Sequence, residues 1–219
     1  MEIVRVGSVA STQEVARTLP VGSAVVAEHQ EAGRGRLGRR WEAPSGTALL
    51  ASFVLPLHAL APIAAGVAAA EACGPAVRLK WPNDLLLDDR KLGGILVEAV
   101  GGRAIGGVGI NLAWSPPRAA RLDAERDALL EALVAALTRW WAVPAPALLE
   151  AWRERSDTLG RRVRAEVGRE VIEGVAEDIA EDGALIVGGR RVAAGDVTHL
   201  RAVGPSPGAR EAPRPTSPG

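Results

Sequence analysis

Lysine is nearly missing from this chain. Of its 26 cationic residues only two are lysine, Lys80 and Lys91, and the rest are arginine. Tyrosine is absent and phenylalanine occurs once, so Trp, Leu, Val and Ala must build the core. The single cysteine, Cys73, excludes an internal disulfide and fits a reducing compartment. Set in AAAEACGPAV, it reads as a small buried hydrophobe rather than a nucleophile. Charge of neither sign is in excess, with 26 basic and 26 acidic residues, which argues against general attraction to nucleic acid or membrane. No uncharged apolar run approaches the ~20 residues of a membrane span. The opening MEIVRVGSVAST carries charges where a signal peptide would need an apolar stretch. The expectation is a soluble cytoplasmic protein.

The 219 residues leave room for one large domain and one small one. Residues 2–6, 23–28, 47–55, 76–81, 84–89, 93–100 and 104–112 read as strands, the later ones Val/Ile-rich and near-continuous, as in a buried sheet. A capping-box pattern, Ser11 with Glu14 three residues on, opens a short helix to about Thr18. Helices are also expected over 62–73, 123–141 and 146–156. From Gly160 the texture changes to short alternating strands with Gly and Asp-Gly turns, as in a small barrel. The reading is α+β: a domain over 1–158, a β-barrel over 160–202 and a Pro/Gly/Ser-rich, disordered tail over 203–219.

What lysine there is lies in one stretch, KWPNDLLLDDRKLGGILVE. An ammonium is a compact point charge and a guanidinium a wide planar fork, so two retained lysines suggest a crowded anionic centre. Trp81-Pro82 makes a rigid turn that sets Asn83 and Asp84 at a strand end, and Asp84 could hold Mg²⁺ or orient an amine. Lys91 precedes Gly93-Gly94, which allow close backbone approach.

Upstream, GRGRLGRRW (33–41) satisfies G-x-G-x-x-G but fails the dinucleotide test. No helix follows it, and no acidic residue stands about 20 positions on. It reads instead as a mobile basic loop whose Arg34, Arg36, Arg39 and Arg40 repel one another until an anion such as phosphate arrives. GVGINL places Asn111 at the end of a buried strand, and Ser11-Thr12-Gln13 puts hydroxyls and an amide beside the free N–H groups of a helix start.

GRGRLGRRW, KWPND and KLGGILVE, in this order and spacing, resemble the catalytic domain of biotin protein ligases over roughly 1–158. The segment after 160 is similar to that family's SH3-like C-terminal domain. The resemblance implies a mixed sheet flanked by helices, like the class II aminoacyl-tRNA synthetase core. It implies that biotin's carboxylate attacks ATP to give biotinyl-5′-AMP, with Mg²⁺ bridging phosphates near Asp84. A lysine of a biotin carboxyl carrier protein, part of an acyl-CoA or pyruvate carboxylase, would then accept the biotinyl group. Lys91, Arg36 and Asp84 take the catalytic positions. Ser11, Thr12, Gln30, Gly33, Arg34, Arg36, Lys91 and Gly94 fall at the biotin positions. Arg34, Arg36, Arg39, Trp41, Lys80, Asn83, Asp84 and Asn111 fall at the nucleotide positions. Two features depart from the family: Gln13 replaces an asparagine, and the stretch after Asn111 is short, leaving Trp114 as a candidate cover for the adenine. No helix-turn-helix precedes the domain in this sequence, so a monofunctional enzyme without a nucleic-acid or membrane partner is expected. A lipoate ligase, a Rossmann oxidoreductase and a non-catalytic adaptor are the competing readings. The first is disfavoured by the arginine loop and KWPND, the second by the missing helix, and the third because no key charge is lost.

Overall fold

The strands formed by the first 111 residues hydrogen-bond into one sheet in the computed structural model, which describes residues 1–200. They are β1 (Glu2–Val9), β2 (Ser23–Gln30), β3 (Ala48–Pro56), β4 (Arg78–Lys80), β5 (Asp84–Leu87), β6 (Arg90–Val100) and β7 (Arg103–Asn111). Their order across the sheet is β1-β2-β3-β7-β6-β5-β4. β1 and β2 are parallel, joined by the short crossover helix α1 (Thr12–Ala16), and every other pair is antiparallel. The sheet is therefore mixed, as expected. The expected tail lies outside the described residues.

β3 is buried along almost its whole length because both faces are covered. Successive side chains of a strand point to opposite faces. Leu49, Ala51, Phe53 and Leu55 join the main core with α2 (Ala61–Cys73), α3 (Arg126–Trp140) and α4 (Ala145–Arg155). Ala48 and Leu50 pack with Ala43, Trp41 and Trp114, while Val54 packs with Ala16, Val25 and Ile105. The Ala-rich α2 is nearly all interior, its alanines letting neighbouring elements approach closely. Burial pushes the Cys73 thiol up to about 12, so it packs as an inert hydrophobe.

Two helix starts differ from the sequence reading. Ser11 is the N-cap residue of α1 but its hydroxyl bonds nothing, so no capping box forms. The helix expected from 123 begins at Arg126. Until then the chain is held by Leu122 N–H donating to Asn111 C=O at 2.9 Å, and Glu125 supplies the cap, accepting from Asp127 N at 3.0 Å and Ala128 N at 2.7 Å.

The second sheet is antiparallel, in the order β11-β10-β9-β8-β12. It comprises β8 (Arg162–Val167), β9 (Glu170–Ile179), β10 (Leu185–Val187), β11 (Arg190–Val192) and β12 (Asp196–His199). It joins the first sheet behind the Lys80-Trp81 segment. Trp81 N donates to the fully buried Thr158 Oγ1 at 2.9 Å, and Trp81 Nε1 to Gly183 C=O at 3.0 Å.

Candidate functional site

Glycines at three places on neighbouring strands leave one face of the sheet bare. Gly94 pairs with Gly109, and Gly107 with Leu96. Over this patch lies a cavity of about 240 Å³, walled by α1, the end of β2, the loop 31–41, the turn 81–84 and β12. Trp41 and Gln13 sit on the patch. A Cβ on Gly107 would come 3.2 Å from Gln13 Nε2, and one on Gly94 would come 3.4 Å from Trp41 Cζ3.

At one end the cavity is polar, uncharged and preset. Gln30 Oε1 accepts from Thr12 N at 2.8 Å and from Thr12 Oγ1 at 2.9 Å. With its proton committed to Gln30, Thr12 Oγ1 must accept from Ser52 Oγ, 2.8 Å away. The oxygen of Gln30 is thus occupied, and its NH₂ keeps the donors. Gln13 Nε2 donates to Leu96 C=O at 2.9 Å. That leaves Gln13 Oε1 and Ser11 Oγ buried without partners. An unpaired buried polar atom costs roughly 1–3 kcal/mol, so this end is poised for a compact ligand carrying both donors and acceptors.

The other end is cationic. Lys91 Nζ lies 2.6 Å from Asp84 Oδ1 and 6.0 Å from the centre of the Trp41 ring. Burial pushes the Lys80 ammonium below its ordinary pKa, with Asp84 opposing and Lys91 adding to the shift. Burial also lowers the Arg36 guanidinium, with Asp84 opposing. Arg36 Nη1 donates to Asn83 Oδ1 at 3.4 Å, and Asn83 Nδ2 to Ile95 C=O at 2.9 Å.

The arginine loop is a hairpin rather than an open strap. Arg34 and Arg40 form an antiparallel bridge, and Trp41 N donates to Gly33 C=O at 2.9 Å. A short 3₁₀ turn over Arg36–Gly38 forms the tip, with Leu37 exposed and left-handed at φ +53°. Its arginines do not simply repel, because each has its own partner. Arg34 pairs with Glu98 at 3.3 Å, Arg39 with Asp196, and Arg40 donates to Glu31 C=O at 2.7 Å.

Of the residues expected at the site, Ser11, Thr12, Gln30, Arg34, Arg36, Arg39, Trp41, Lys80, Asn83, Asp84, Lys91 and Gly94 all line this cavity. Gly33 and Asn111 do not. Gly33 is needed for the hairpin, since a Cβ there would fall 2.2 Å from Trp41 C=O. Asn111 is buried, donating Nδ2 to Ala120 C=O at 2.9 Å and so tying down the loop after β7. Trp114 packs with Ala43, Ala48 and Leu50, away from the cavity. Asp84, the carboxylate expected near magnesium, pairs with Lys91, and among the described residues no group of three or more His, Cys, Asp or Glu gathers to hold a metal without a phosphate.

Three contributions went unread in the sequence. Ser52 was legible as the one polar side chain of ALLASFVLP. Gly107 and Gly109 stood in a quoted motif but gained meaning only from the strand register. Asp196, Val197 and Thr198 carry no local signal and reach the cavity only because the second sheet folds against it.

The sequence profile of the Biotin/lipoate A/B protein ligase family matches residues 7–114, and that of the Biotin protein ligase C terminal domain matches 158–200. The biotin–[acetyl-CoA-carboxylase] ligase of Mycobacterium tuberculosis is 36% identical over 82% of this chain and 80% of its own length. The bifunctional ligase/repressor BirA of Escherichia coli is 34% identical over 77% of this chain, which spans 62% of that protein. Among solved structures, the biotin protein ligase of Aquifex aeolicus in complex with biotin and ATP superposes with a TM-score of 0.79. It is 26% identical, covering 92% of this chain and 99% of that one.

Proposed function

The chain belongs to the biotin protein ligase family, and we propose that it activates biotin with ATP as biotinyl-5′-AMP and then transfers the biotinyl group to a lysine of a biotin carboxyl carrier protein domain. The observation that carries this reading is the position of the Lys91–Asp84 pair, which belongs to the cavity's cationic end while Gly94, stacked under Trp41, continues toward its polar end. The polar end suits biotin's ureido ring, which presents two N–H donors and a carbonyl acceptor. Gln30's NH₂ faces the carbonyl, while Ser11 Oγ and Gln13 Oε1 face the N–H groups. The carboxylate then reaches toward Lys91.

In the first half-reaction a carboxylate oxygen bonds to the α-phosphorus as the bond to the β-phosphate oxygen breaks, releasing pyrophosphate. Two anions must meet, so the protein's task is neutralisation and alignment. Lys91 is the point cation between carboxylate and α-phosphate, and leaves Asp84 to reach them. Arg34, Arg36 and Arg39 clamp the phosphate oxygens, with Lys80 below them and Asn83 orienting Arg36. In the second half-reaction the acceptor amine attacks the carbonyl carbon and AMP leaves. Asp84, vacated by Lys91, steadies that amine. Gly33 and Asn111 act indirectly, by shaping the hairpin and the loop after β7. Magnesium would come with ATP as its counter-ion, and Asp84, once Lys91 turns to the anions, is the carboxylate that would stand beside it. The mixed sheet corresponds in this reading to a class II aminoacyl-tRNA synthetase-like core, the second sheet to an SH3-like barrel, and the setting to the cytoplasm.

The test is exchange of labelled pyrophosphate into ATP by the purified protein. The expected result is exchange that requires biotin and is not supported by lipoate. Exchange driven by lipoate, or none with biotin, overturns the assignment.

A further inference from the structure

β12 belongs to the second sheet, yet its Asp196 stands on the wall of the cavity and forms an ion pair with Arg39. Its place is fixed by strand pairing rather than by a loose loop. Asp196 is in register with Glu166 of β8, and the preceding Gly195 presses on that strand so closely that a Cβ would fall 2.5 Å from Glu166 C=O. Apart from Asp84, which Lys91 holds, Asp196 is the acidic side chain on a wall otherwise charged by Arg34, Arg36, Arg39, Arg40 and the two lysines.

A fixed carboxylate there acts in two ways. It occupies one edge of a guanidinium fork, and it repels any anion that comes for the same fork. Arg39 is two-thirds exposed, so its pair with Asp196 is screened and weak. A phosphate offers the same fork a stronger, bidentate partner. We propose that Asp196 is a positioning residue that competes with polyphosphate for Arg39. It ties the hairpin to the second sheet while the cationic end is empty, yields the guanidinium to the phosphates of ATP, and takes it back as pyrophosphate leaves. The second sheet thereby sets how tightly the first binds nucleotide. This inference rests on the adenylation reading.

The experiment is Asp196→Asn, which keeps the shape and removes the charge. The KM for ATP in biotin-dependent exchange should fall about two- to fivefold, the range of an exposed ion pair, while the KM for biotin stays unchanged. Calorimetry with inorganic tripolyphosphate should show the same tightening. Asp196→Glu should restore wild-type values, and in an Arg39→Ala background Asp196→Asn should give a smaller shift, because only the direct repulsion is then left to remove. Unchanged or weaker tripolyphosphate binding by Asp196→Asn overturns the proposal, as does an equal shift without Arg39. Wild-type protein that binds tripolyphosphate but shows no biotin-dependent exchange refutes the ligase reading instead, and the calorimetric comparison still decides the role of Asp196.

Discussion

A Cβ atom on Gly109 would lie 2.6 Å from Cε2 of the Trp41 indole. The hairpin's last residue is thus seated on bare backbone, and the glycine is the seat. Gly109→Ala keeps the strand, since its pairing with Gly94 and Leu50 needs no unusual backbone, but it must evict the ring. Overpacking of this kind costs about 1–3 kcal/mol, and here the hairpin can absorb it by lifting. The expected result is a folded protein with altered tryptophan emission, faster amide exchange over 33–41, and at least a tenfold loss of pyrophosphate exchange. Normal amide exchange and activity would show that Trp41 does not anchor the hairpin.

Lys91→Ala removes the cation from the centre of the proposed chemistry. Loss of a preorganised charge stabiliser costs roughly 10²–10³ in rate. It also leaves Asp84 unpaired among the reacting anions, which pushes in the same direction. Lys91→Arg should be impaired too, because a wide planar fork cannot place its charge at the single point the ammonium occupies between Asp84 and Trp41. Single-turnover adenylate formation measures both, and a near-normal rate for Lys91→Ala would remove it from the role.

How much could be read beforehand depended on whether a feature is local. The buried strands announced themselves by near-continuous Val, Ile and Leu, and the lysine pair by scarcity. The family resemblance carried by GRGRLGRRW, KWPND and KLGGILVE pointed to Lys91, Asp84 and Arg36, which the fold brings to one cavity. What stayed hidden was decided by partners far along the chain. Ser11 looked like a helix cap, but its oxygen is unpaired beside the Thr12–Gln30–Ser52 relay. Asn111 looked like a ligand-facing end of strand, but it turns to Ala120. The arginines looked mutually repulsive because Glu98 and Asp196 stand 64 residues from Arg34 in one case and on another sheet in the other.

Acid should loosen the junction between the two sheets. Burial pushes His199 below its ordinary value of 6.5, with Lys80 and Arg161 adding to the effect and Asp157 and Asp89 opposing it. Its Nε2 lies 3.3 Å from Thr158 Oγ1, the hydroxyl that also accepts from Trp81 N. The fold keeps the imidazole neutral to lower pH than the unfolded chain does, where it takes a proton as pH drops below 6.5. The unfolded state then binds more protons, so stability falls on acidification from about 6.5 down to the lowered folded value. The loss is at most about 1.4 kcal/mol per pH unit. Thermal melts at pH 7.5 and 5.5 should show a smaller acid-induced drop in Tm for His199→Asn than for wild type. Equal drops would mean that the junction does not sense His199.

The scarcity of lysine makes the chain a reporter of its own site. Biotinyl-5′-AMP is a mixed anhydride that acylates any neutral amine it meets, so it must be held until the acceptor arrives. Arg36 is half-buried over the cationic end and held by little beyond Asn83. Arg36→Gly should therefore still form the adenylate but release it early, biotinylating a lysine-rich bystander protein well above wild type. Self-labelling has few targets, because only Lys80, Lys91 and the N-terminal amine of this chain are available. Lys80 should lead. Burial lowers its pKa and so enlarges its neutral, nucleophilic fraction, whereas the Lys91 nitrogen is engaged by Asp84. Peptide mass spectrometry of Arg36→Gly incubated with biotin, ATP and the bystander reads both results. Bystander labelling no higher than wild type would take the grip on the adenylate away from Arg36. A self-labelled chain in which neither lysine is modified would place the reactive anhydride somewhere other than this cavity.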